Sequence, residues 1–266
     1  MPSQSALFTV MERAARKSAV RLRRDFNEVE HLQVSVKGPS DFVSAADHRS
    51  EETLRYELER ARPGWGFLME ESGVHDGEHG QPRWIVDPLD GTTNFLHGVP
   101  HFAISIAVEQ DEEIIAGLVH NPLTDESFFA EKGGGAWLHH SRLRVSARSN
   151  IHESLLGTGI PFRGCGDPQT FGEILQRVMP KVAGVRRFGA AALDLAWVAA
   201  GRFDGFWEQG LKAWDTAAGI ILVREAGGLV CDYAGEKATP YSDNFIATNT
   251  RLHEDVKALI NSSGQL

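Results

Sequence analysis

Two carboxylates three positions apart, Asp87 and Asp90, close an apolar run that begins Trp84-Ile85-Val86. Pro88 and Leu89 lie between them, and Gly91-Thr92-Thr93-Asn94 follows. Carboxylates crowded at the end of a strand repel each other, and a divalent cation is the usual reason to keep them there. Across a tight turn both side chains reach one point, and the Leu89 carbonyl can point the same way. Pro88 fixes its own φ and stiffens the turn. Donors that are all oxygen suit Mg²⁺, Mn²⁺ or Ca²⁺ rather than Zn²⁺. Gly91, Thr92 and Thr93 then open a helix, whose first N–H groups favour a phosphate. A cation pair beside such amides suggests phosphoryl chemistry.

Other candidates are less specific one by one. Glu70-Glu71 ends a second apolar run, Gly66-Phe67-Leu68-Met69, and reads equally as a solvated acidic loop. Asp215 follows Trp214 at the start of a helical pattern, where an N-cap is the commonest role. Asp47 stands where a capping residue of an early helix would stand. Lys37, beside Gly38-Pro39, reads as exposed.

The elements that must hold these residues alternate along the chain. Residues 5–30 show helical spacing of apolar side chains (Leu7, Val10, Met11, Ala14, Ala15, Leu22). An extended stretch from Val34, broken by a Gly38-Pro39 turn, leads to a second helix from Ser44 to about Ala61. Strands are predicted from Gly66 to the two acids Glu70-Glu71 and at 84–87, 102–109 and 114–120, followed by a strand, a glycine turn and a further strand after Ser127. Residues 74–82 are polar and glycine-rich and read as a loop. The first half is therefore α+β with a largely antiparallel sheet. Beyond Arg148 strands and helices alternate, which implies a layered α/β half. We expect a junction near 145–153, with domains at 1–148 and 149–266.

Composition sets the outer bounds. The 266 residues are 42% hydrophobic and 24% charged, ordinary globular values. With 27 Lys+Arg against 36 Asp+Glu the net charge is −9, which argues against a general nucleic-acid binder. The stretch Arg13 to Arg24 is a local exception, a basic patch able to contact a partner. Two cysteines, Cys165 and Cys231, have no metal-ligand spacing and read as reduced structural thiols. No apolar run approaches the roughly 20 residues of a membrane span. The expectation is a soluble, cytoplasmic protein with no membrane role.

Together the segments resemble a family. Val36-Lys-Gly-Pro-Ser-Asp-Phe-Val-Ser-Ala-Ala-Asp47, Leu68-Met-Glu-Glu-Ser72, Trp84 to Phe95, Arg187-Phe-Gly-Ala-Ala-Ala-Leu193 and Trp214 to Gly228 are similar to the inositol monophosphatases, most closely the bacterial type also called extragenic suppressor proteins. The resemblance covers nearly the whole chain. It implies an αβαβα sandwich and a Mg²⁺-dependent, lithium-sensitive phosphomonoesterase that forms a homodimer. It also implies site residues. Glu70, Asp87 and the Leu89 carbonyl would hold one Mg²⁺, with Asp87, Asp90 and Asp215 holding a second and a weaker third near Glu70. Thr92 would lie beside the attacking water, its hydroxyl donating to Asp47. The Gly91 and Thr92 amides would face the phosphate. Gly189, Ala190 and Ala191 would line the ring side of the substrate, and Glu208 would bind its hydroxyls. Lys212 departs from the animal members, which carry histidine there, and this touches the substrate rim rather than catalysis. The implied substrates are inositol 1-phosphate and related polyol phosphates. Fructose-1,6-bisphosphatase and histidinol-phosphate phosphatase are the alternatives on the same scaffold. A 3′-phosphoadenosine nucleotidase fits less well, for want of an aromatic-rich insertion. Bacterial relatives that associate with the transcription machinery add a protein-partner role.

Overall fold

The computed structural model describes residues 5–28, 34–36, 42–161 and 164–261. The expected Gly38-Pro39 turn and Lys37 lie outside the described residues. Helix α1 (Ala6–Asn27) is capped by Ser5, whose hydroxyl accepts from the Phe8 amide at 3.0 Å. The short strands β1 (Val34–Val36) and β2 (Phe42–Ser44) pair with each other, and α2 (Ala45–Ala61) follows directly.

Next come β3 (Gly66–Met69), β4 (Gly73–His75), β5 (Arg83–Asp90) and the short helix α3 (Thr92–Leu96). Then follow β6 (Ala103–Gln110), β7 (Glu113–Asn121), β8 (Glu126–Glu131), β9 (Gly135–Leu138) and β10 (Ser141–Arg142). These eight strands, β3 to β10, form one sheet in the order 10-9-8-7-6-5-3-4, antiparallel except where β3 runs parallel to β5. Two expectations shift here. Residues 73–75, read partly as loop, pair with β3 as an edge strand. The strand expected to stop at Asp87 continues to Asp90. Its register on β6 slips between Asp87↔Ser105 and Asp90↔Ala103, with Pro88 and Leu89 bulged out. Pro88 has no N–H to give the ladder, so a bulge is the form a strand takes there.

The second half holds β11 (Leu155–Thr158), α4 (Pro168–Val178), β12 (Gly184–Arg186), α5 (Ala191–Ala199), β13 (Gly205–Gln209), α6 (Ala213–Glu225), β14 (Leu229–Cys231), β15 (Asn244–Thr248) and α7 (His253–Asn261). Its five strands run in the order 12-11-13-15-14. Cys165 and Cys231 are free thiols, as read from the sequence.

Alternation along the strands builds the layers. Val86 packs with Met11, Leu22, Leu54 and Leu58 of α1 and α2, while its neighbour Ile85 packs with Leu193, Ala196 and Ile221 of α5 and α6. On the smaller sheet Phe206 joins the α5–α6 side and Trp207 packs with Ile174, Val178 and Val256 of α4 and α7. The result is α1/α2, large sheet, α5/α6, small sheet, α4/α7, the expected αβαβα sandwich. Every residue of α6 from Thr216 to Val223 is buried, as a helix covered on both sides requires. Small residues allow the close approach. A methyl at Gly117 would sit 2.7 Å from the Ile221 side chain, and one at Gly219 would sit 2.4 Å from Leu195.

Candidate active site

The carboxylates come together from four segments, placed by strand pairing and by side-chain hydrogen bonds to the backbone. Parallel pairing sets Met69 opposite Val86, and the Glu70 amide donates to the Val86 carbonyl at 3.2 Å, so Glu70 arrives beside Asp87. Ser105, opposite Asp87 on β6, donates to the Trp214 carbonyl at 3.1 Å and fixes the residue before Asp215. Asp47 lies buried in the first turn of α2. Three residues later on that helix, the Ser50 hydroxyl donates to the Pro88 carbonyl at 2.7 Å and braces the bulge.

Asp87, Asp90 and Asp215 each offer an oxygen within 4.8 Å of the others. A backbone amide anchors one oxygen of each: Leu89 N to Asp87 at 2.9 Å, Ala192 N to Asp90 at 2.8 Å, and Lys212 N to Asp215 at 2.7 Å. Asp215 is therefore not the N-cap of α6. Lys212 holds the cap position, and Asp215 braces the first turn from within it. Burial, followed by the charge of Glu70, raises Asp87 well above the usual carboxylate range. Burial and then Asp215 do the same to Asp90, while burial and the charges of Asp215 and Asp47 raise Glu70. Such mutual repulsion in a buried place is what a hard cation relieves, and an all-carboxylate donor set fits Mg²⁺ or a similar ion.

The Thr92 hydroxyl donates at 3.0 Å to the Leu89 carbonyl, three residues back in the tight turn. The Leu89 carbonyl keeps a second lone pair. Gly91, with φ +91, turns the chain from strand to α3, and the second half comes close to it: an added methyl would meet Ala190 at 3.3 Å and the Gly189 carbonyl at 3.4 Å. Gly189 also lies in the left-handed region, at φ +80, and Ala190 is the N-cap of α5. Glu208, on β13, is raised well above its ordinary value by burial and then by the charges of Asp194, Asp215 and Asp90. Its carboxylate lies over Gly159, where an added methyl would overlap it at 1.7 Å. The expected rim residues thus border the acid cluster.

Sequence reasoning gave no role to Asn94, Ser105, His101 or Asp194. His101 and Asp194 form a buried pair 3.7 Å apart across the two halves, and burial pushes Asp194 up to about 6. The signal for Asn94 was its place in the Asp87–Phe95 motif; Ser105 offered none. The basic stretch of α1 is largely neutralised at home: Arg13 and Lys17 pair with Glu57, Arg16 with Glu12 and Asp125, and Arg24 with Glu28. Among the described residues no helix is long and apolar enough to cross a membrane.

Comparison with known proteins agrees with this geometry. The model of the inositol monophosphatase family matches residues 3–265. An inositol-1-monophosphatase of Mesorhizobium japonicum is 54% identical over 247 residues, 93% of each chain. The Nus factor SuhB of Pseudomonas aeruginosa is 41% identical over 92% of each. The crystal structure of the extragenic suppressor protein suhB from Bartonella henselae superposes with a TM-score of 0.95 at 50% identity, covering 98% of this chain and 100% of that one. A converging set of buried carboxylates, an αβαβα sandwich built to hold it and matches along nearly the whole length lead to one assignment: the chain belongs to the inositol monophosphatase family.

Proposed function

We propose that the protein is a Mg²⁺-dependent phosphomonoesterase that hydrolyses inositol 1-phosphate and related polyol phosphates to the alcohol and inorganic phosphate. The observation that carries this reading is the convergence of Asp87, Asp90 and Asp215 within 4.8 Å, beside the Gly91–Thr92 turn. Glu70, Asp87 and the Leu89 carbonyl would hold one ion, and Asp87, Asp90 and Asp215 a second, with a third more weakly held near Glu70. When bound, the ions supply charge neutralisation of the phosphate, a more acidic water and stabilisation of the departing oxygen. The chain's own part is to orient and to move protons. Glu70 takes up a proton from the attacking water. Thr92 and Asp47 order that side of the turn, and the amides of Gly91 and Thr92 hold the phosphate oxygens. The P–O bond to water forms as the P–O bond to the alcohol breaks, the departing oxygen taking a proton from a neighbouring water, without a covalent enzyme intermediate. Gly189, Ala190 and Ala191 line the ring side, and Glu208 accepts from ring hydroxyls.

A panel of inositol 1-phosphate, fructose 1,6-bisphosphate and histidinol phosphate, assayed for phosphate release with Mg²⁺ and with a chelator, tests this. Release should require the metal and favour inositol 1-phosphate. A kcat/KM tenfold or more higher for histidinol phosphate would replace the substrate assignment.

The similarity to a protein named Nus factor SuhB supports a second reading, association with a transcription complex. Capture of that complex by the Asp87→Asn variant, inactive in turnover, would separate the two roles. We read the protein as a cytoplasmic homodimer, inhibited by Li⁺, whose halves at 1–148 and 149–266 share the site.

A further inference from the structure

We propose that Asn94 is a positioning residue for the ring-side segment 188–191 and thereby governs which alcohol the site accepts, an inference that rests on the phosphatase reading above. Its side-chain nitrogen lies 2.8 Å from the His101 carbonyl oxygen, 2.7 Å from that of Phe188 and 3.4 Å from that of Gly189. All three neighbours are acceptors. The carboxamide must therefore turn its NH₂ group toward them, and its two protons serve the two short contacts. Phe188 stands 94 positions along the chain, so this one side chain joins the acidic motif of the first half to the rim of the second.

Asp90 grips the other side of the same segment. It accepts from the Ala192 amide at 2.8 Å and also from the amide of Ala191. Asp90 and Asn94, four residues apart, thus present an acceptor and a donor to one short stretch of backbone. The stretch can satisfy both because Gly189 takes a left-handed conformation between the two grips. The labour is divided. Asp90 also belongs to the carboxylate cluster, so it couples the rim to the phosphate end. Asn94 directs its donors at the rim and at the carbonyl of His101, whose ring packs on Phe188 at 4.9 Å. Loss of the Asn94 donors would free the carbonyl side of the segment while the amide side stays held. The ring alcohol would lose its seat, and the phosphate would keep its own.

The test compares wild type with Asn94→Asp, a near-isostere that would set a carboxylate against two carbonyls, and with Asn94→Ser, which keeps one donor and guards against a folding failure. Each is assayed on inositol 1-phosphate and on p-nitrophenyl phosphate, an ester with no polyol ring. KM for inositol 1-phosphate should rise about tenfold in Asn94→Asp, the size of one or two lost hydrogen bonds, with kcat within about twofold. The kcat/KM for p-nitrophenyl phosphate should change by no more than about twofold. Hydrogen exchange across 188–192, measured without substrate, should quicken in both variants. An equal loss on both esters, or unaltered exchange across 188–192, overturns the proposal. Wild-type turnover of p-nitrophenyl phosphate without any of inositol 1-phosphate would instead sink the substrate assignment, and the exchange measurement would still decide the role of Asn94.

Discussion

Gly159 shows how a residue with no side chain can set the position of one that has chemistry. The Glu208 carboxylate occupies the space a Cβ would take, with an overlap at 1.7 Å. Gly159→Ala must therefore push the flexible end of Glu208 aside, away from the rim. KM for inositol 1-phosphate should rise several-fold, with turnover of p-nitrophenyl phosphate little changed; steady-state kinetics on both esters check this, and an unchanged KM would remove Glu208 from the rim. Contacts of this kind were not legible beforehand. Gly159 lies in a run with no catalytic signature, and its partner is some fifty residues away. Asp87 and Asp90 were legible because the strand, the turn and the spacing of two acids are all local. Asn94 stood inside the same motif, yet its partners at 101, 188 and 189 depend on how the halves dock.

At the scale of elements, the packing of α1 on the large sheet buries a histidine. His120, on β7, is fully buried, with Nδ1 2.9 Å from the Ser127 hydroxyl across the strand pair. Burial, reinforced by Arg16 of α1, lowers it to about 4, against the partial pull of Asp125. An unfolded chain binds a proton at His120 near pH 6.5, and the folded protein does so only near 4. Stability is therefore lost as pH falls through that window, by about 3 kcal/mol when complete. His120→Gln should flatten the fall of Tm between pH 7 and 4.5, measured by calorimetry. An unchanged slope would place the acid sensitivity elsewhere. The elements themselves were largely readable, since periodicity marks α1 and the strands. The continuation of β5 to Asp90 and the edge strand β4 were not. Pro88 argues against a strand locally, and pairing with β3 stabilises a polar segment that would otherwise be loop.

At the scale of the molecule, the site is a place where both halves contribute like charge. Asp215 arrives from the second half to meet Asp87 and Asp90 from the first. A cation that binds this cluster in the folded chain, and not in the unfolded one, stabilises by about 2.7 kcal/mol at a hundred times its Kd. For a chain of this size that is a Tm rise of roughly 5–10 °C. Asp87→Asn removes one of the repelling charges. It should therefore melt higher than wild type in chelator, yet gain much less from Mg²⁺. A wild-type Tm indifferent to millimolar Mg²⁺ would refute the site as described. The layered architecture was foreseeable only through family resemblance. The alternation of elements gives the class, but the order of layers follows from which faces of Ile85, Val86, Phe206 and Trp207 meet which helices.

The central helix layer has a consequence for how the chain is made. The large sheet is complete at Arg142, but the helices that cover its second face are not complete until Glu225. At ribosomal speeds the intervening stretch takes on the order of ten seconds to synthesise. For most of that interval the nascent chain carries an apolar sheet face, Ile85, Ala107, Val119 and Phe128 among it, which α5 covers only in part once it is made and α6 completes. Production in the cell should therefore depend on chaperones that shield this face, and a chain truncated before α6 should collect in aggregates rather than persist as a folded first half.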